Sequence, residues 1–517
     1  METLYNGIQL ADAWPPRTES PGTTEPMRVP YLEHPPAVIP IDLGRQLFVD
    51  DFLIEETWMP RVFHQPVKHP GNPVFVPTTD HERNAELPPC TIPKCGGLWY
   101  DAESRQFKMW YMASYLGTMA YAVSPDGIHW ERPALNVVPG TNLILPESIH
   151  PDSGTVWFDS ACGDPAQRYK MLVREPNTAT TGGSFPALMF TSPDGIHWSE
   201  PVKTGPMEDR STCFYNPFRK TWVQSIRAWI GSRRRCRLYW EHEDFLQSGN
   251  WKAGEPPFWT GADCMDESGE APAELYNLDA VAYESLMVGF YQILKGPPNH
   301  FGQAVGQPKL TELMLATSRD GFHWHRPCRR AFIGARREPG SWEFGYVEST
   351  GGVLLTVGDE LWFYYSAYAG DHSRLSNDWH VNGMYANGAV GLAKLRRDGF
   401  ASLQARIPGA SVTTRPVVFK GDRLFVNVNT VGAELRAECL GPDNKPLPGF
   451  AAADCEPYCG NATCAELRWK AGASVGSLAG RPVKLRFSMD RGDLYAFWIT
   501  SDPDGASGGF RGAGGPD

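Results

Sequence analysis

"SPDGIHW" occupies residues 124–130 and returns at 192–198, and "SRDGFHW" fills 318–324. Each copy runs into a proline within three residues ("WERP", "WSEP", "WHRP"), so the copies belong to a longer repeated unit. Proline fixes φ at the first corner of a turn, aspartate hydrogen-bonds the turn backbone, and glycine takes the left-handed position. The heptapeptide therefore reads as a hairpin connection. Ile or Phe re-enters a strand and Trp packs against a neighbouring unit. His129, His197 and His323 fall between these apolar residues, on the opposite side of the strand. They sit on three separate units, which argues against a shared metal.

Aligned outward from the turns, the unit grows to an apolar strand, an aromatic strand, a variable stretch and a short strand into the turn. The first copy is "GGLWYDAESRQFKMWYMAS" with "MAYAVSPDGIHWERP", and the second is "GTVWFDSACGDPAQRYKMLV" with "ALMFTSPDGIHWSEP". A third, "RSTCFYNPFRKTWVQSIRAWIG", keeps only an acidic turn and Trp251 of the heptapeptide. The fourth is "NLDAVAYESLMVGFYQIL" with "LMLATSRDGFHWHRP", and the fifth is "STGGVLLTVGDELWFYYSAY" with "AVGLAKLRRDGFASL". Five such units predict an all-β chain whose residues 41–405 form a five-bladed β-propeller. Residues 1–40 read as an extended arm. Alternating segments such as "RLFVNVNT" and "DLYAFWI" over 406–500 predict a β-sandwich. The Gly-rich stretch 501–517 reads as a disordered tail.

Composition narrows the function. The net charge of −11 disfavours a nucleic-acid surface. The sequence lacks the apolar run of a signal peptide or membrane span, which predicts a cytoplasmic protein. Eleven cysteines, an odd number, fit free thiols in a reducing compartment. Cys455, Cys459 and Cys464 lack zinc-site spacing, and neither a metal nor another cofactor is expected. Eighteen tryptophans suit packed β-structure or a surface that stacks on sugars.

In a propeller the inner strands start around a central funnel, so their first residues converge. Asp152, Asp209, Asp279 and Glu348 occupy nearly equivalent places before or within four successive inner strands, with Lys94 and Arg210 beside them. Converging carboxylates suit cleavage of a glycosidic bond. One protonated acid assists the leaving oxygen, while a carboxylate attacks or activates water. Asp209 and Asp279 read as the central pair, Glu348 as a proton donor, Asp152 as a modulator and Arg210 as a substrate-binding residue. Tyr276, Tyr346, Trp342 and Trp157 are candidate stacking surfaces. The expected partner is an oligo- or polysaccharide or a glycoside; the oligomeric state is open. The alternative reading is a propeller that binds carbohydrate without cleaving it, in which case each acid would be tied to Arg or Lys.

"LFVDDFLIE", "HPGNPVF", "FKMWY", "SPDGIHW", "DRSTCFYNPFRKTW" and "LDAVAYES" resemble the propeller glycosidases of glycoside hydrolase families 32 and 43, above all bacterial family-32-like proteins. The resemblance covers roughly 41–405, with the trailing sandwich matching the domain that follows the family-32 propeller. It implies three funnel carboxylates: a nucleophile or base, a stabiliser and an acid. The family-32 segments "NDPNG", "RDP" and "EC" are missing from the corresponding places, so no role transfers residue by residue. Finally, "SRRRCR" (232–237) and "CRRAFIGARR" (328–337) concentrate positive charge. They read as solvated outer strands or, alternatively, as an attraction for an anionic sugar.

Overall fold

The computed structural model describes residues 2–18, 24–146, 148–176, 185–231, 234–269 and 271–516. It is nearly all β and propeller-like. Five antiparallel sheets follow one another along the chain. The first holds Thr91–Asp101, Gln106–Ala113 and Thr118–Ser124. Ser153–Phe158, Tyr169–Arg174, Phe185–Ser192 and Val202–Met207 make the second. Thr212–Asn216, Thr221–Ile230, Arg234–His242 and Phe258–Gly261 make the third. The fourth contains Glu274–Glu284, Leu286–Gly296 and Leu310–Ser318. The fifth contains Gly345–Glu348, Glu360–Tyr368 and Gly388–Arg396, and its outer strand, Val67–Lys68, precedes the first sheet in sequence.

The innermost strands join neighbour to neighbour. Trp99 Nε1 donates to the Val156 carbonyl at 3.0 Å, Cys213 N to Thr155 Oγ1 at 3.2 Å, and Thr212 Oγ1 to Asn277 Oδ1 at 3.2 Å. Ser349 Oγ donates to Asp279, and Gly97 bridges Gly351. These joints run from the first sheet to the fifth and back to the first.

The heptapeptides fasten the sheets at the rim. Asp126 Oδ1 accepts from the Ile128 and His129 amides at 2.8 Å each, and its Oδ2 lies 2.7 Å from His129 Nδ1. Asp194 and Asp320 repeat this pattern with His197 and His323. The histidines thus close their own turns instead of lying on a strand, because the aspartate captures the ring three residues on. Each turn also docks on the preceding sheet. The Gly127 carbonyl accepts from Tyr364 Oη at 2.7 Å, Gly195 from Trp110 Nε1 at 2.7 Å, and Phe322 from Trp259 Nε1 at 2.8 Å. Trp251 does the same for the decayed copy, donating to the Pro206 carbonyl at 3.2 Å.

Two further sheets pack over a second apolar core that includes Phe48, Val412, Val426, Leu435, Phe487 and Phe497. One contains Ala401–Ala405, Arg423–Asn429, Asn461–Leu467 and Gly492–Thr500, and the other Ala410–Thr414, Leu435–Leu440 and Lys484–Met489. The boundaries differ from the expectation drawn at 40/41 and 405/406. Gln46–Leu47 and Arg61–Phe63 pair with the first of these sheets and Ile54–Thr57 with the second, so early residues complete a late unit. The arm also buries Leu4, Ile8, Leu10, Tyr31 and Ile39 in that core. The tail is ordered: Phe510–Arg511 pairs with Tyr283 and Glu284, and Gly512 bridges Leu355. Its glycines permit this close approach, since a Cβ at Gly512 would stand 2.4 Å from the Leu354 carbonyl oxygen. Among the described residues no helix is long and apolar enough to cross a membrane.

Candidate functional site

The inner strands are bent where the site residues stand. Register shifts interrupt the pairing between Ile92 and Gly97, between Leu275 and Asn277, and between Gly345 and Glu348. Lys94, Tyr276 and Tyr346 lie in these bulges, which re-aim a side chain that strict alternation would send elsewhere. Arg210 and Tyr346 also hold φ at 54° and 52°. That left-handed backbone is costly for a residue with a side chain and is found where surrounding structure enforces it.

The bulges gather a cluster of tyrosines and cations. Tyr276 Oη and Tyr346 Oη are 2.8 Å apart, and Lys309 Nζ donates to Tyr276 Oη at 3.2 Å. Lys309 Nζ also stands 4.8 Å from the ring centroids of both tyrosines, and Lys94 Nζ is 4.9 Å from that of Tyr115. Tyr115 stacks on Tyr385 at 4.1 Å. Burial opposes ionisation of Tyr276, but Lys309, Arg235 and Lys94 outweigh it and bring its hydroxyl down to about 7. Burial and the neighbouring Tyr276 push Tyr346 well up, so the two hydroxyls titrate apart. Burial pulls the Lys309 ammonium down, and Tyr276 offsets part of this.

The four predicted acids stand in different company. Asp152 lies 3.8 Å from Lys94 Nζ. Asp209 is in ion contact with Arg227, which also lies 3.8 Å from Glu208. Asp279 Oδ2 accepts from Asn277 Nδ2 at 2.8 Å and from Ser349 Oγ. Glu348 is fully buried, 3.6 Å from Arg210 Nε, and neither of its oxygens accepts a hydrogen bond among the described residues. Leaving such a group without donors costs about 1–3 kcal/mol, more when it is charged. Arg210 itself donates to the Lys94 carbonyl at 2.9 Å and to Gln292 Oε1 at 3.1 Å.

Two predicted stacking residues do not join the cluster. Trp342 packs on Tyr365 with ring centroids 5.8 Å apart, and Trp157 is wedged between Trp99 and Trp222 in the core. Both belong to the packing of sheets, which consumes most of the aromatic surplus. The sequence reading did not name Arg227 or Lys309, and it held Arg235 and Arg237 only as members of the basic run 232–237. Arg235 and Arg237 belong to the "SRRRCR" run, whose residues 232–233 lie outside the described residues, and they do not form a solvated outer strand. Arg237 is fully buried and donates to the carbonyls of Arg210, Ser225 and Tyr276. Their spacing of two puts both on one face of a strand, which was the available signal. Nothing local marks Lys309.

Among the described residues no group of three or more His, Cys, Asp or Glu side chains is placed to hold a metal ion.

No family model matches the chain, and no curated protein matches it. Solved structures do. An N-acetylgalactosamine deacetylase from F. plautii, solved with blood group B trisaccharide, is 14% identical over 69% of this chain and 97% of that one, with a TM-score of 0.41. The Bombyx mori GH32 beta-fructofuranosidase is 11% identical over 86% and 95% of the two chains, with a TM-score of 0.39. A thermostable family-43 glycoside hydrolase is 12% identical over 61% and 94%, with a TM-score of 0.37. Families 32 and 43, the two that the sequence resembles, are thus among the structural neighbours. At these TM-scores the likeness carries nothing about chemistry, which rests on the side chains above.

Proposed function

We propose that the chain is a glycoside hydrolase-like protein, a five-bladed β-propeller with a β-sandwich, that cleaves a glycosidic bond at the inner-strand cluster. The observation that carries this reading is Glu348, a buried carboxyl that accepts no hydrogen bond among the described residues, one residue from the serine that holds Asp279. A stable core does not retain such a group, whereas a site whose substrate or water supplies the missing donor does. Asp279 and Glu348 form the working pair: one gives its proton to the leaving oxygen, and the other attacks the anomeric carbon or activates water. Asp209 and Asp152, engaged by Arg227 and Lys94, hold those cations in place.

Purified protein screened against aryl glycosides and polysaccharides tests this. Turnover lost in both Glu348→Gln and Asp279→Asn, and largely kept in Asp209→Asn, is the expected result; turnover in the double variant would end the proposal. The ion contacts of Asp152 and Asp209 favour a second reading, glycan binding without cleavage. That reading predicts saturable binding by the wild-type protein with no released reducing ends.

A further inference from the structure

Beside its acids the cluster buries an ammonium group, that of Lys309. Among the described residues no carboxylate is in ion-pair contact with Lys309, although the side chain is almost wholly buried. Its hydrogen-bond partner is the Tyr276 hydroxyl, and the rings of Tyr276, Tyr346 and Tyr385 surround it. An ammonium group without a counter-ion in such a place costs several kcal/mol.

From Lys309 the cations continue outward. Arg235 lies 5.3 Å from the Tyr276 ring and grips Glu274 with contacts of 3.0 and 2.9 Å. Arg235 and Arg227 both lie on the ring of Trp229, at 4.7 and 4.5 Å. Trp229 is 43% exposed, so this pair of guanidiniums marks where the cluster meets solvent. Arg237 backs them with its charge spent on carbonyls. Asp209 answers Arg227 and Glu274 answers Arg235, so along this line Lys309 is the cation without a carboxylate in ion-pair contact among the described residues.

We infer that the glycan taken by this site is anionic, its carboxylate or sulfate entering between Arg227 and Arg235 at Trp229 and reaching Lys309 beside the Tyr276 hydroxyl. The inference rests on the proposed carbohydrate function and names its substrate class. Guanidinium forks suit carboxylate and sulfate alike. It also gives Tyr276 a role. Without ligand, its phenolate is the anion in hydrogen-bond reach of Lys309; the groups around it are Lys309, Arg235, Lys94 and Arg227, the carboxylates Glu274, Asp152 and Glu348 that pair with or neighbour them, and the hydroxyls of Tyr346, Tyr115 and Tyr385. The ligand's acid group and the phenolate therefore compete for one cation. Binding takes up a proton at Tyr276, and affinity falls as the pH rises through about 7, the value to which the cations bring that hydroxyl.

Calorimetric titration with three tetrasaccharides tests this: a galacturonan for carboxylate, a carrageenan for sulfate and a galactan as the neutral control. At pH 6 at least one acidic probe is expected to bind roughly tenfold or more tighter than the neutral one, and which of the two does so identifies the acid group. Above pH 7 its affinity should drop by about tenfold per pH unit, the slope of one linked proton. Tyr276→Phe should abolish that drop, and Arg235→Gln should remove the preference for acid. A neutral probe bound equally well, or a pH slope unchanged in Tyr276→Phe, overturns the inference and leaves the carbohydrate reading intact. If none of the probes binds and no glycoside is turned over, both fall. Should Arg235→Gln fail to fold, the wild-type salt series decides: acidic-probe affinity that is flat between low and high salt overturns the inference.

Discussion

Arg319–Asp50 and Arg210–Glu348 are two of the buried arginine–carboxylate pairs among the described residues, and they are built to opposite standards. Arg319 grips Asp50 through Nε and Nη2 with contacts of 3.1, 2.8 and 2.9 Å, and the same Nη2 donates to the Leu47 carbonyl at 3.1 Å. This pair ties the fourth sheet to the segment that enters the second unit. Arg210 and Glu348 stand 3.6 Å apart with the carboxylate oxygens unsatisfied, on a left-handed backbone. Saturated geometry stabilises a fold; unsatisfied geometry at equal burial is a cost that function explains.

Substitutions test the difference between the two pairs. Arg319→Ala strands the Asp50 charge and should cost about 3–5 kcal/mol in denaturant unfolding; a loss near zero would make the two pairs equivalent. Glu348→Gln should cut turnover by about a hundredfold or more. Its melting temperature should stay level or rise, as expected when an unfavourable charge leaves a site. A melting loss as large as that of Arg319→Ala would turn Glu348 into a structural residue.

Gly195→Ala probes the rim instead. Its φ is 78° and a Cβ would meet the Trp110 ring at 2.6 Å, so about 1–3 kcal/mol should be lost without change in substrate affinity. The smallest effect concerns pH. Burial raises the Asp50 carboxyl, yet Arg319 outweighs this and holds it below the usual carboxylate range. Its folded value is depressed, so its stabilisation is complete above the unfolded value of about 3.9 and is lost as the pH falls through the folded one. Asp50→Asn, compared with wild type across that acidic window, should flatten the curve.

How much of this was legible in the sequence follows from where each interaction closes. The heptapeptide turns satisfy themselves within six residues, Ser124 with Gly127 and Asp126 with His129, so the same letters recur wherever the turn does. They gave the sheet succession. The acids were legible for a related reason, since equivalent strand starts hold equivalent places. The way the cations and tyrosines meet was not: Lys94, Tyr276 and Tyr346 come together at bulges in three sheets that displace the alternation by which strands are read, and Lys309 joins them from the residue before Leu310–Ser318, which no motif marks. Strands of two residues, such as Val67–Lys68 and Phe510–Arg511, are too short for any period to show.

Those two short strands have a consequence for dissecting the molecule. The ring takes its fastening from residues 67–68 before it and from 510–514 after it; the Ala513 carbonyl reaches Tyr100 N at 3.0 Å in the first sheet, and the Gly514 carbonyl reaches Thr356 N at 2.8 Å in the fifth. The second unit in turn borrows residues 46–63 from ahead of the ring. The two units are therefore laced through each other. No truncation from either end liberates one of them whole: a fragment ending near residue 405 leaves the ring without its lacing and exposes the apolar strands that served the missing sheets. Either unit can be obtained alone only by rejoining the chain in a new order.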